Sequence, residues 1–168
     1  MSFLFSGLGG KYSRRGNMMH FRLFRKNNVK AGERIDLVLD HRRYSIDGDV
    51  LSMIYSICPH GKTDRIGECD LRVGMNEELF YAGNIGYRIY EPFRGRGYAY
   101  DACLMLLQIA KKEFRMKEVL ITCSPENTPS RKTIEKAGFQ YIDTVNVPSD
   151  HYLYRRGEKV KNRYMLNL

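Results

Sequence analysis

The sequence predicts an α/β chain of α+β layout, with a mixed, mostly antiparallel central sheet, one strand-loop-helix-strand unit and flanking helices. Three observations predict this. Strand-like stretches divided by turn signals fill the first half, a glycine loop joins a strand to an amphipathic helix at the centre, and a short capped helix with closing strands ends the chain.

Met19 to Phe24 and Arg34 to Leu39 read as strands, the second from the alternation of Ile35, Leu37 and Leu39 with Asp36 and Asp40. Val50 to Ile57 and Arg65 to Val73 flank Pro59-His60-Gly61-Lys62, a turn signal that makes them an antiparallel hairpin. Gly83 to Tyr90 is a further strand, entered from a polar turn at Met75 to Glu78. From Tyr98, the residues Ala99, Ala102, Cys103, Leu106, Ala110 and Phe114 recur on one helix face. Val119 to Cys123 is a continuous apolar run, expected of a strand covered on both sides. A short helix opens at Asn127 or Thr128, with Pro129 in its first turn and Gly138 past its end. Phe139 to Val145 and Arg163 to Leu168 read as closing strands around an irregular basic connection, Val147 to Lys161. Residues 1 to 17 read as a loose tail, and residues 18 to 168 as one domain.

The 168 residues are 43% hydrophobic and 28% charged, which fits a soluble globular domain and excludes disordered or membrane-spanning compositions. Four cysteines stand in apolar or strand-like stretches with no Cys-x-x-Cys pair, so they read as reduced buried thiols in a cytoplasmic protein. The four histidines show no metal-ligand spacing and no triad logic, and no metal is expected. A net charge of +9 asks for an anionic partner, which the phosphates of a cofactor satisfy as well as a nucleic acid does. The clusters Arg22 to Arg43 and Arg155 to Arg163 read as solvated surface.

The strand ending at Tyr90 runs through Glu91-Pro92-Phe93 into Arg94-Gly95-Arg96-Gly97, and the helix begins at once. Backbone N–H groups at the positive end of a helix, glycines that admit an anion and two guanidinium groups make this a diphosphate cradle. There is no Gly-x-x-x-x-Gly-Lys-Ser/Thr motif and no dinucleotide Gly-x-Gly-x-x-Gly with its acidic partner, so nucleoside triphosphates and dinucleotides are disfavoured.

Arg94-Gly95-Arg96-Gly97-Tyr98-Ala99 resembles the acetyl-CoA signature of the GNAT superfamily of N-acetyltransferases, Arg/Gln-x-x-Gly-x-Gly/Ala. Gly86-Tyr87-Arg88-Ile89 resembles the family's preceding strand, Val119 to Cys123 its following strand, and Asn127-x-x-Ser130 with Glu135-Lys136-Ala137-Gly138-Phe139 its next motif. The agreement covers residues 83 to 139, and the Asn127 and Ser130 spacing is similar to the branch that acetylates protein N-termini and related amines.

That resemblance implies acetyl transfer from acetyl-CoA to a primary amine, either a protein N-terminus or a small molecule. It implies that backbone amides of Arg96, Gly97, Tyr98 and Ala99, with Gly95 and the Arg94 side chain, hold the pyrophosphate. The backbone at Ile89 and Tyr90 would pair with the pantetheine arm, Asn127 would hydrogen-bond it and Ser130 would assist. An N–H between Tyr87 and Tyr90 would face the thioester oxygen, and a homodimer is implied for a chain of this size. Asn127 also reads simply as a helix cap.

Glu68 is a candidate base, since Glu68, Asp70 and Arg72 alternate onto one strand face; a plain Asp70–Arg72 ion pair is the competing reading, and Glu91 the competing base. For the acid, the family's usual Tyr on the short helix is Ile134 here, leaving Ser124, Ser130, Tyr141, a water, or a thiolate that departs unassisted because its pKa lies far below that of an alcohol. Cys123 reads as a structural thiol. The alternative function is a non-catalytic CoA- or polyanion-binding module gripping RNA, against which the arginine-glycine segment is short and framed by strand and helix.

Overall fold

The computed structural model describes residues 28–45 and 49–168. The expected tail and the strand at Met19 to Phe24 lie outside the described residues.

Eight strands form one sheet in the order β1-β2-β3-β4-β5-β6-β8-β7: β1 (Val29–Ala31), β2 (Ile35–Tyr44), β3 (Leu51–Pro59), β4 (Gly67–Val73), β5 (Ile85–Ile89), β6 (Glu118–Cys123), β7 (Gln140–Asn146) and β8 (Val160–Asn167). Every neighbouring pair is antiparallel except β5 with β6, which are parallel and joined through a helix. Among the described residues, the helices that flank this sheet are α1 (Glu77–Ala82), α2 (Tyr98–Lys112), α3 (Thr128–Lys136) and α4 (Tyr152–Arg155).

Helix α2 buries Ala102, Cys103, Leu106, Leu107, Ile109 and Ala110 against β2, β4 and β5. Asp101 in its first turn and Lys111 and Lys112 in its last complement the helix dipole. The sheet supplies Ile35, Leu37, Tyr55, Ile57, Leu71, Ile85 and Ile121 to the same core, each at most 2% exposed. Because side chains alternate along a strand, Cys69 and Leu71 join this core while Glu68, Asp70 and Arg72 stand on the opposite face. β3 follows β2 and pairs with it antiparallel, from Ile35↔Pro59 to Tyr44↔Leu51.

The elements differ from the sequence expectation in five places, the first being the short strand β1 (Val29–Ala31), which the sequence did not suggest. Met75 to Glu78 is an entry into helix α1, capped by Asn76, whose side chain accepts a hydrogen bond from the Leu79 N–H at 2.9 Å. The basic connection contains α4, capped by His151. β8 begins at Val160, inside the stretch expected to be irregular, and β2 continues past Leu39 to Tyr44. Both helices have six residues or fewer, too short for a periodic apolar face to show in the sequence.

Candidate functional site

The sheet divides at its centre. β4 and β5 pair from Gly67↔Ile89 to Leu71↔Ile85, but β5 and β6 share the single partner pair Ile85↔Ile121. Below that pair the halves are stapled by Asn84, 1% exposed. Its side-chain nitrogen donates to the carbonyls of Arg72 and Gly74, both at 3.0 Å, and its side-chain oxygen accepts from the Leu120 N–H at 2.9 Å. Its own N–H reaches Leu120 O at 2.6 Å. Gly83 (φ +74°) permits the close approach: a Cβ there would lie 3.0 Å from Leu120 O and 3.1 Å from Ile121 Cα.

Above Ile85 the two strand edges are unpaired and line a cleft of about 430 Å³. The Tyr90 N–H is committed to Ile66 O on the β4 side, at 2.9 Å. Strand alternation therefore turns the N–H groups of Tyr87 and Ile89 towards the open edge.

At the end of β5, a 3-10 turn (Glu91–Phe93) leads to Gly95 (φ +75°) and Gly97 (φ +80°), the latter the N-cap of α2. The first helical bonds run from Tyr100 and Asp101 to Gly97 O, so the N–H groups of Gly97, Tyr98 and Ala99 have no intrahelical partner. The loop is open, because a Cβ built on Gly95 meets nothing within 4 Å. Arg94 turns its Nε back to Ile89 O at 3.0 Å, and Arg96 reaches Pro92 O at 3.4 Å.

Arg34, on the approach to β2, braces the loop from outside. It donates to Arg96 O at 2.6 Å, pairs with Asp101 at 3.0 Å and lies 5.2 Å from the Tyr98 ring centroid. The sequence reading placed Arg34 among solvated charges; its partners are about 60 residues away and left no local signal.

On the far wall, the Asn127 side chain accepts from the Ser130 N–H at 3.1 Å, the cap of α3. Asn127 lines the cleft together with Ser124 and Ser130. The Ser130 hydroxyl lies 3.0 Å from the Tyr87 hydroxyl, whose ionisation burial pushes up to about 12. Ile134 is fully buried, and Tyr141 is 56% exposed outside the cleft lining. Burial also pushes the Cys123 thiol up, which disfavours a thiolate at the cleft wall.

The polar floor comes from β4. Asp70 and Arg72 pair at 2.6 Å, and Arg72 also donates to the carbonyls of Ala82 and Gly83 at 3.1 Å. Burial raises the Asp70 carboxyl above its ordinary range, with Arg72 opposing it. Asp70 Oδ1 presses on Gly86: a Cβ there would be 2.5 Å from it. Asp70 thus sits beside the last β5–β6 pair, at the throat of the cleft. Glu68 also lines the cleft and is engaged by Arg65 at 2.9 Å. Glu91 is exposed in the 3-10 turn, outside the lining. Among the described residues no group of three or more His, Cys, Asp or Glu could hold a metal ion, and no helix is long and apolar enough to cross a membrane.

A split sheet with an amide-lined loop heading its crossover helix offers an anion site next to an open strand edge. The sequence profile of the acetyltransferase (GNAT) domain matches residues 16–140, and the chain belongs to this family. It is 32% identical over 56 residues to the uncharacterized N-acetyltransferase YnaD of Bacillus subtilis, a stretch covering 33% of each chain. The match thus spans about a third of that relative's length. Among solved structures it is similar to a GNAT-family acetyltransferase of Bacillus anthracis (TM-score 0.54, 20% identity, 73% of this chain and 68% of that one). It is likewise similar to Mycobacterium smegmatis RimJ in complex with a CoA disulfide (TM-score 0.55, 19% identity, 69% of this chain and 53% of that one). These likenesses establish a shared fold.

Proposed function

We propose that the protein transfers an acetyl group from acetyl-CoA to a primary amine by direct attack. The observation that carries this reading is the open, amide-lined bend from Gly86 to Ala99 beside an unpaired strand edge: a diphosphate fits the loop and an extended arm fits the edge. Related folds solved with CoA or acetyl-CoA support it.

In this reading the N–H groups of Arg96, Gly97, Tyr98 and Ala99, with Gly95 and the Arg94 guanidinium, hold the pyrophosphate. Ile89 and Tyr90 border the pantetheine arm, with the Ile89 N–H and the amide of Asn127 as its donors. Acetyl-CoA supplies the activated acyl group. The Tyr87 N–H donates to the thioester oxygen as charge builds there. Asp70 takes the proton of the attacking amine, directly or through a water, because it is the carboxylate at the throat; Glu68, on the same face, is the second acceptor, and Glu91 lies too far out along the turn for this role. Ser130, held by Tyr87, donates a proton towards the departing sulfur.

Thermal melting with and without acetyl-CoA tests the reading. At a ligand concentration about 100 times Kd, binding to the folded state adds about 2.7 kcal/mol and raises the midpoint of the natural chain. Arg94→Glu abolishes most of that rise. Equal shifts in the two chains would remove the loop from the cofactor site, and stabilisation by a short RNA alone would favour the polyanion-binding module.

A further inference from the structure

The cleft at the acceptor end is lined by Arg43, Arg72, Arg88, Arg156 and Lys161 and by only three carboxylates, Glu68, Asp70 and Glu158. Each carboxylate is already matched. Asp70 pairs with Arg72, Glu158 with Lys161 and Glu68 with Arg65, which stands outside the lining. Arg43, Arg88 and Arg156 are exposed and have no carboxylate partner among the described residues.

These three come from separate elements: Arg43 from β2, Arg88 from β5, two residues beyond Gly86 and on the same strand face, and Arg156 from the C-terminal cap of α4. They rim a floor whose one buried-side carboxylate faces Gly86. An acceptor with a second positive charge meets like charge on this rim. An acceptor with a negative group meets guanidinium forks that bind carboxylate or phosphate bidentately.

We infer that the acceptor is an amine that also carries an anionic group, a carboxylate or a phosphate, with the amine at Asp70 and the anion on the Arg43, Arg88 and Arg156 rim. This deepens the acetyltransferase reading and rests on it. It excludes polyamines and aminoglycosides, which a basic chain with a few local acidic residues could otherwise have accommodated. The anion has two sources, a small molecule or the first residues of an acidic peptide.

The test is thiol release measured with matched acceptors: O-phosphoethanolamine against ethanolamine, glycine against glycinamide, and Ser-Asp-Asp-Ala-amide against Ser-Lys-Lys-Ala-amide, with spermidine as the polycation. The expected result is a preference in kcat/KM of about tenfold or more for the anionic member of at least one pair. The pair showing it identifies the source. Arg156→Ala and Arg88→Ala reduce that preference through the KM of the acceptor, Arg156→Lys restores part of it, and Arg156→Glu moves it towards the cationic members. The inference is overturned by equal rates within every pair, by a preference for the cationic members, or by no turnover of any anionic member while acetyl-CoA still raises the melting temperature. If acetyl-CoA gives no stabilisation, the acetyltransferase reading fails first and takes the inference with it.

Discussion

Gly86 lacks a side chain where Asp70 needs the space. With Oδ1 2.5 Å from the position of a Gly86 Cβ, any larger residue would expel the carboxylate from the throat, and Arg72, anchored on the carbonyls of Ala82 and Gly83, holds it there. A positioned base contributes about 10²–10⁴ in rate. Asp70→Asn therefore lowers kcat by about 100-fold or more while the acetyl-CoA-induced melting shift persists. Glu68→Gln, which removes a carboxylate already engaged by Arg65, costs less than about tenfold. Steady-state kinetics on both variants decides the assignment: the reverse order of effects would make Glu68 the base. The Asp70–Arg72 pair could be read from strand alternation alone, because two positions on one face of a strand are neighbours. What alternation does not give is depth. The placement of Asp70 at the throat depends on Gly86 and on the β5–β6 contact, which lie in other segments.

The crossover unit was legible element by element, since β5, the glycine loop, α2 and β6 each follow from local rules of periodicity and capping. The staple that makes the unit a cleft was not. Asn84 gathers Arg72, Gly74 and Leu120, partners 10 to 36 residues away, and an asparagine after a glycine reads locally as a turn residue. Replacing it leaves buried backbone groups unpaired on two strands. Asn84→Leu is expected to destabilise the fold by roughly 2–4 kcal/mol, measured by denaturant unfolding. The loss includes any gain from the added apolar side chain, so a change below about 0.5 kcal/mol would mean that the staple is redundant. Arg34 was missed for the same reason, its contacts with Arg96 and Asp101 being wholly tertiary.

Across the whole molecule, acid stability is tied to Asp36, which joins the start of β2 to the turn between β3 and β4. Burial works against its charge, but the Gly61 N–H at 2.9 Å, His60 at 2.8 Å and the Gly32 N–H at 3.3 Å outweigh it and hold the carboxyl below its ordinary value of 3.8. A lowered folded value means stability that is fully present above 3.8 and lost as pH falls through the folded value. Melting temperature measured against pH is thus expected to fall more steeply below about pH 3.8 in the natural chain than in Asp36→Asn. At neutral pH the variant is less stable by about 1–3 kcal/mol. Parallel acid limbs would show that another carboxylate dominates.

The single Ile85↔Ile121 contact leaves two raw strand margins in the middle of the sheet, each able to accept a foreign strand. An extended ligand lying in that gap does what a neighbouring strand would do. Stripped of it, the protein offers the same hydrogen-bonding template to a second copy of itself, so size-exclusion chromatography is expected to show more self-association without acetyl-CoA than with it.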